Sequence, residues 1–175
     1  LVCDCCGPPI DGLPTDVAAD APWRDCGVSQ SEFERRVRLT GDTCEIDDDV
    51  FLIRGVIKLP IIGTEECLCW GVWCSLSRES FVHLMSSEKD LVRGRDLPRF
   101  GWLMTQLPGY EQQTRSLKTM VHPGVEGCRP LVEIEPGSHQ IADEQRDGIT
   151  AERWHELAKG VMDAGANSAV RGGVS

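Results

Sequence analysis

Hydrophobic and polar positions follow two patterns in the middle of the chain. From Val50 to Pro60, Phe51, Ile53, Ile57 and Leu59 fall on one side of an extended segment, and Arg54 and Lys58 share the other. This alternation predicts a strand with one buried face, ended by Pro60 because proline has no N–H to give a ladder. From Cys67 to Ser77 both sides are apolar. Leu68, Trp70, Val72, Cys74 and Leu76 lie on one side, with Cys67, Cys69, Gly71, Trp73 and Ser75 on the other, and no charge intervenes. That pattern predicts a central strand covered on both faces, with a tryptophan anchoring each layer. Gly71 between them marks a bulge or a close backbone approach.

Shorter elements frame this pair. Cys44–Ile46 reads as a short strand leading into an Asp47-Asp48-Asp49 turn. Consecutive aspartates point in different directions, so a solvated turn fits better than a divalent cation site. Phe100, Trp102 and Met104 alternate as in a strand, and residues 116–122 form another candidate. Residues 129–136 give a last strand, placed at an edge because prolines bracket it. Ser29 and Glu32 have capping-box spacing before Phe33 and Val37, and Ser77 is a good N-cap for a helix turning Phe81, Leu84 and Met85 inward. Ser138 can cap a short helix ending near Gly148. Thr150 can cap the next, where Trp154, Leu157, Ala158, Val161 and Met162 repeat on one face and Ile149 staples to Trp154. Residues 1–25, broken by Pro8, Pro9, Pro14 and Pro22, read as an irregular flap, the charged stretch 87–99 as a surface loop, and residues 164–175 as a disordered tail. The sum is an α+β fold in a single domain, residues 1–163, with a mostly antiparallel sheet of about five or six strands and packed helices.

Charge and cysteine usage narrow the partners. A net charge of −10 over 175 residues weighs against nucleic acid and membrane, and leaves a protein with a basic surface as the expected partner. No apolar run reaches the roughly 18 residues of a spanning helix, and no basic-then-apolar leader is visible. Nine cysteines is an odd count, and several sit inside predicted strands. Reduced thiols or a metal in a cytoplasmic setting fit that usage better than a disulfide framework.

The cysteines also carry the main chemical signal. Cys3-x-x-Cys6-Gly7 has the half-knuckle shape of zinc sites, in which two intervening residues let both sulfurs reach one ion. A second pair must come from elsewhere. Cys44 and His139 complete the ligand set Cys3, Cys6, Cys44 and His139, and Cys5, Cys26, Cys128 and His122 are alternates. Thiols without a metal fit the same residues, and redox use fits less well because no strand precedes the motif. Cys67 and Cys69 share a strand face about 7 Å apart, where packing is the simpler reading and a metal the sharper one. His139 sits at a helix start that disfavours the imidazolium, so it can bind metal, accept a proton or simply cap. Arg54 and Arg129 can bind an anion or form ion pairs with Glu133 or Glu144, and Trp102 and Tyr110 can line a pocket or pack in the core.

A set of short motifs runs through these elements in order. It comprises Cys3-x-x-Cys6-Gly7, Leu13-Pro14, Cys44, Phe51-x-x-Arg54-Gly55, Trp70-Gly71-Val72-Trp73 and Ser75-Leu76-Ser77. Phe100-Gly101-Trp102-Leu103, Leu107-Pro108-Gly109-Tyr110, Thr114, Leu117-Lys118, Arg129-Pro130, His139, Glu144-Gln145 and Gly148-Ile149 follow. On these residues the chain resembles a bacterial family designated domain of unknown function 2199. The resemblance implies a small, cytosolic bacterial protein and carries no assigned activity. The family pattern places a histidine after the cysteine-glycine segment, where this chain has Pro8-Pro9-Ile10-Asp11-Gly12.

No nucleophile elbow, metalloprotease helix, P-loop or dinucleotide glycine pattern is present. The sequence therefore points to a non-enzymatic binding or regulatory module with zinc at the N-terminal cysteines. An acidic inhibitor- or immunity-type interaction protein, and a small hydrolase using Cys44 or a metal with His139, are the alternatives.

Overall fold

The computed structural model describes residues 16–87, 97–124 and 128–171, with side chains described to residue 162 in the last segment and to residue 85 in the first. Among the described residues, eight strands form one sheet: β1 (Asp16–Ala18), β2 (Val37–Leu39), β3 (Thr43–Ile46), β4 (Val50–Pro60), β5 (Cys67–Leu76), β6 (Arg99–Leu103), β7 (Lys118–His122) and β8 (Leu131–Ile134). The helices are α1 (Phe33–Arg36, entered through a 3-10 turn), α2 (Arg78–Ser87), α3 (Gln140–Asp147) and α4 (Ala151–Arg171). The fold is α+β, as the alternation pattern requires.

The β4–β5 hairpin is the spine, paired in register from Phe51↔Leu76 to Pro60↔Cys67. Each long strand divides its outer edge between two partners. β4 pairs with β3 from Val50 to Ile53, then meets β8 at Val56↔Leu131. β5 pairs with β1 from Cys69 to Gly71, then with β6 from Cys74 to Leu76. Because β6, β7 and β8 follow as antiparallel neighbours, β4 through β8 close into a five-stranded barrel, and β1, β2 and β3 extend it.

Glycine makes the changeover on β4 possible. The Arg54 N–H donates to the Asp42 carbonyl at 2.8 Å, and the Val56 N–H donates to the Pro130 carbonyl at 2.9 Å. Between them, a Cβ on Gly55 would lie 2.5 Å from Val132 Cγ2 and 3.0 Å from the Pro130 oxygen, so only glycine lets β8 approach. On β5 the Ala19 N–H donates to the Gly71 carbonyl at 3.0 Å, and two residues on the Met104 N–H donates to the Trp73 carbonyl at 2.8 Å.

Two clusters of buried side chains lie on opposite faces of the spine, as the two-sided pattern of β5 anticipates. The inner cluster takes Phe51, Ile53, Ile57 and Leu59 from β4 and Leu68, Trp70, Val72, Cys74 and Leu76 from β5. Phe81 and Leu84 of α2, Ile141 of α3, and Trp154 and Leu157 of α4 join it. The outer cluster is Trp23, Val28, Val37, Cys44, Ile46, Leu52 and Trp73. Its lid is the chain after β1, where the Trp73 indole N–H donates to the Ala19 carbonyl at 3.1 Å.

Several expectations need correction. Residues 129–136 do not lie at an edge: β8 pairs with β7 on one side and β4 on the other. The bracketing prolines sit outside the paired residues, and Pro130 takes part through its carbonyl, which needs no N–H. The helix expected to be capped by Ser138 is capped by His139, whose Nδ1 accepts the Ile141 N–H at 3.1 Å, while the Ser138 hydroxyl donates back to the Glu135 carbonyl at 2.6 Å. Val37 opens β2 and does not continue the helix begun by Phe33. Part of the stretch read as an irregular flap is strand β1, and helix α4 carries the segment after residue 163 to Arg171. Thr150 and Ser77 cap as expected, their hydroxyls accepting the Arg153 and Ser80 N–H groups, each at 3.2 Å.

Candidate functional site

The Asp47-Asp48-Asp49 run is a hairpin turn. Asp47 and Asp48 have φ of 53° and 56°, and the Asp49 N–H donates to the Ile46 carbonyl at 3.0 Å. Short polar residues tolerate this left-handed pair of a type I′ turn best after glycine and asparagine. The first two carboxylates go to arginines. Asp47 takes Arg36 at 2.6 Å, and Asp48 pairs with Arg38. Arg129 pairs with Asp42 at 2.7 Å, and so with neither Glu133 nor Glu144. Glu133 instead faces His122 at 2.8 Å.

Cys3 and Cys6 lie outside the described residues. Cys44 is fully buried in the outer cluster, and burial, with neighbouring Cys26 and Glu45, pushes its thiol up to about 11. His139 is on the other side of the spine, its ring stacked edge-on against Tyr110 of the inner cluster with centroids 5.4 Å apart. Its Nδ1 is an acceptor, which makes Nε2 the N–H nitrogen facing the Gln112 carbonyl at 3.4 Å. The structure does not bring Cys44 and His139 together. Among the described residues, no three His, Cys, Asp or Glu side chains group closely enough to hold a metal ion.

Tyr110, against which His139 packs, also reaches a buried carboxylate, Glu144. The Tyr110 hydroxyl donates to its Oε2 at 2.6 Å, and Oε1 accepts from Gln140 at 2.8 Å and from Arg153 Nε at 2.7 Å. Arg153 also stacks its guanidinium 5.2 Å from the Tyr110 ring and reaches the Gly109 carbonyl at 3.4 Å. Burial, then the Glu144 carboxylate, holds the Tyr110 phenol protonated well above its usual range. Gly109, at φ 81°, makes room for this: a Cβ there would meet Leu157 Cδ2 at 2.8 Å, and one on Gly160 would lie 3.2 Å from the Gly109 nitrogen. Every oxygen of Glu144 is therefore spent on tying α3, α4 and the Leu107–Tyr110 turn together. The cluster has the satisfied geometry of a structural knot. Arg153 was not marked by the sequence, although its place three residues after the Thr150 cap puts it over Glu144.

The exposed chemistry lies on β6 and β7. Phe100 and Trp102, expected in a strand, are on its outward side, 48% and 41% exposed, while Gly101 and Leu103 face in. Core packing of Trp102 is thus corrected to a surface position, whereas Tyr110 is core. The two rings meet edge-on with centroids 5.3 Å apart, and Met120, paired with Phe100 across the strands, is 37% exposed. Lys118, paired with Trp102 and 3.4 Å from Glu135, and the His122–Glu133 pair make a polar rim.

No described helix is long and apolar enough to cross a membrane. No curated protein and no solved structure matches the chain. A family model described as "Uncharacterized protein conserved in bacteria (DUF2199)" matches residues 2–149, a stretch that includes both long strands, the aromatic face, Tyr110, His139 and Glu144, with Arg153 just beyond it. The chain belongs to this bacterial family.

Proposed function

We propose that the protein is a non-enzymatic binding module that holds a protein partner on the outward face of β6 and β7. The observation that carries this reading is the contiguous exposure of Phe100, Trp102 and Met120 on a regular, paired strand surface. Aromatic and methionine side chains ringed by polar groups are the composition of interface centres, and their burial by a partner is favourable at about 25 cal/mol per Å² of apolar surface. The net charge of −10 favours a partner with a basic surface and disfavours nucleic acid. A hydrolase built on Cys44 with His139 has three observations against it: the thiol is fully buried, its pKa is raised, and the imidazole lies in the other cluster.

The test compares wild-type protein with a Phe100→Ser/Trp102→Ser variant as baits in cell extract at low and high salt. The expected result is a basic protein retained by wild type, weakened by salt, and lost from the variant while the variant's circular dichroism is unchanged. Equal retention by both baits would remove the aromatic face from the reading.

A further inference from the structure

We infer a phosphate-type oxyanion site at the fork where β3 and β8 meet the same edge of β4, with Arg54 and Arg129 as its donors. The inference is independent of the aromatic face.

The fork gathers charged side chains from three separate parts of the chain. The Arg54 N–H donates to the Asp42 carbonyl on the β3 side, and the Val56 N–H donates to the Pro130 carbonyl on the β8 side. One ladder ends and the other begins within three residues, and Gly55 between them has no side chain. Asp42 lies one step beyond the Thr43↔Ile53 pair, level with Arg54, so both side chains leave the sheet on the same face. Arg129, next to Pro130, spans the gap between the ladders, its Nε donating to Asp42 Oδ1 at 2.7 Å. Arg54 reaches the same turn, with Nη1 3.4 Å from the Gly41 carbonyl. Two guanidinium groups thus converge on one turn that carries a single carboxylate.

The donors at this fork outnumber their acceptors. Among the described residues, the Arg54 side chain has a carbonyl as its partner and no carboxylate, and its Nε–H is buried without an acceptor. Arg129 gives Asp42 its Nε, and its side chain is 45% exposed, so its terminal amino groups are open to a ligand. Arginine stays charged at any working pH, and its planar fork of donors matches phosphate. A carboxylate presents two oxygens in one plane. A phosphoryl group presents oxygens in several directions, which suits guanidinium groups arriving from two sides. Asp42 then acts as a competitor, and an anion entering the fork takes Arg129 from it. The net charge of −10 repels long polyanions, so the ligand is a small phosphate, free or esterified.

The experiment titrates the full chain, labelled with nitrogen-15, with inorganic phosphate and with methyl phosphate. The side-chain Nε–H signals of Arg54 and Arg129 should shift saturably with one shared dissociation constant, a readout on wild-type protein. Sodium chloride at equal ionic strength should leave them in place, and acetate should bind at least about tenfold more weakly. Tighter binding of methyl phosphate than of inorganic phosphate assigns the site to an ester, and the reverse order assigns it to the free ion. Arg129→Gln, at an exposed position, should weaken phosphate binding by about tenfold or more, and Asp42→Asn should tighten it. No saturable shift with either phosphate, shifts reproduced by chloride, or wild-type affinity in Arg129→Gln would each overturn the assignment.

Discussion

Tyr110 and Glu144 stand 34 residues apart in the chain and 2.6 Å apart in space, the phenol donating to a carboxylate that is almost out of water. A hydrogen bond to a charged group at such a site is worth about 1.5–3 kcal/mol. Tyr110→Phe should therefore lower the urea-unfolding free energy by about that amount, and by less in a Glu144→Gln background. Equal losses in the two backgrounds would show that the two residues are not energetically coupled.

Alkali should unfold the protein earlier than its composition suggests. Burial pushes the Cys74 thiol up to about 12 and Cys44 to about 11, and holds the Tyr110 phenol protonated far above its usual range. Unfolded, these groups release their protons near pH 8.5 for thiols and pH 10 for phenol. Above those values the native state binds more protons than the unfolded state, so stability is full below about pH 8.5 and falls as pH rises toward 11 and 12. Denaturant midpoints across that range should slope downward, and Cys44→Ala should flatten the slope. An unaltered slope in that variant would remove Cys44 from the account.

Gly55→Ala should be costly out of proportion to one methyl group. Its Cβ would be forced to 2.5 Å from Val132 Cγ2, and overpacking of this kind costs typically 1–3 kcal/mol. Gly41→Ala, whose Cβ meets nothing within 4 Å, is the control. Hydrogen exchange at the Val56 amide should accelerate in the Gly55 variant and stay slow in the Gly41 variant.

Trp102 should account for most of the quencher-accessible tryptophan fluorescence. Trp23, Trp70, Trp73 and Trp154 are all buried. Acrylamide quenching should drop sharply in Trp102→Phe, with stability changed by no more than about 0.5 kcal/mol because the site is on the surface. Strong residual quenching would mean that one of the other four tryptophans is open to solvent.

The long strands were legible because each writes its environment in period two. β4 shows one buried face and β5 shows two, and the two clusters follow from that difference. Caps at Ser77 and Thr150 were legible for a similar reason, since capping is settled by residues within one turn. What escaped was set by distant pairing. β1 is a strand only because β5 offers it an edge, and three residues amid prolines carry no periodic signal. Alternation in residues 100–104 showed a strand but not which side faces water, because aromatic residues mark cores and interfaces alike. Ser138 and His139 compete for one cap, and the backbone's exit from Gly137, at φ 73°, decides for the histidine. Of the proposed ligands, Cys44 was readable as a thiol but not as a member of the outer cluster, which depends on which face of β3 lies over Trp73.

The β4–β8 pairing holds a consequence for misfolding. The described closure of the barrel passes through one register pair, Val56↔Leu131, while every other seam of the ring has at least three. A ring fastened at one stitch opens there first. Once β8 lifts from Val56, the closed barrel becomes a curved ribbon with two bare edges, each able to accept the matching edge of another molecule. Conditions that weaken this seam should therefore yield dimers that exchange β8 before they yield unfolded chains.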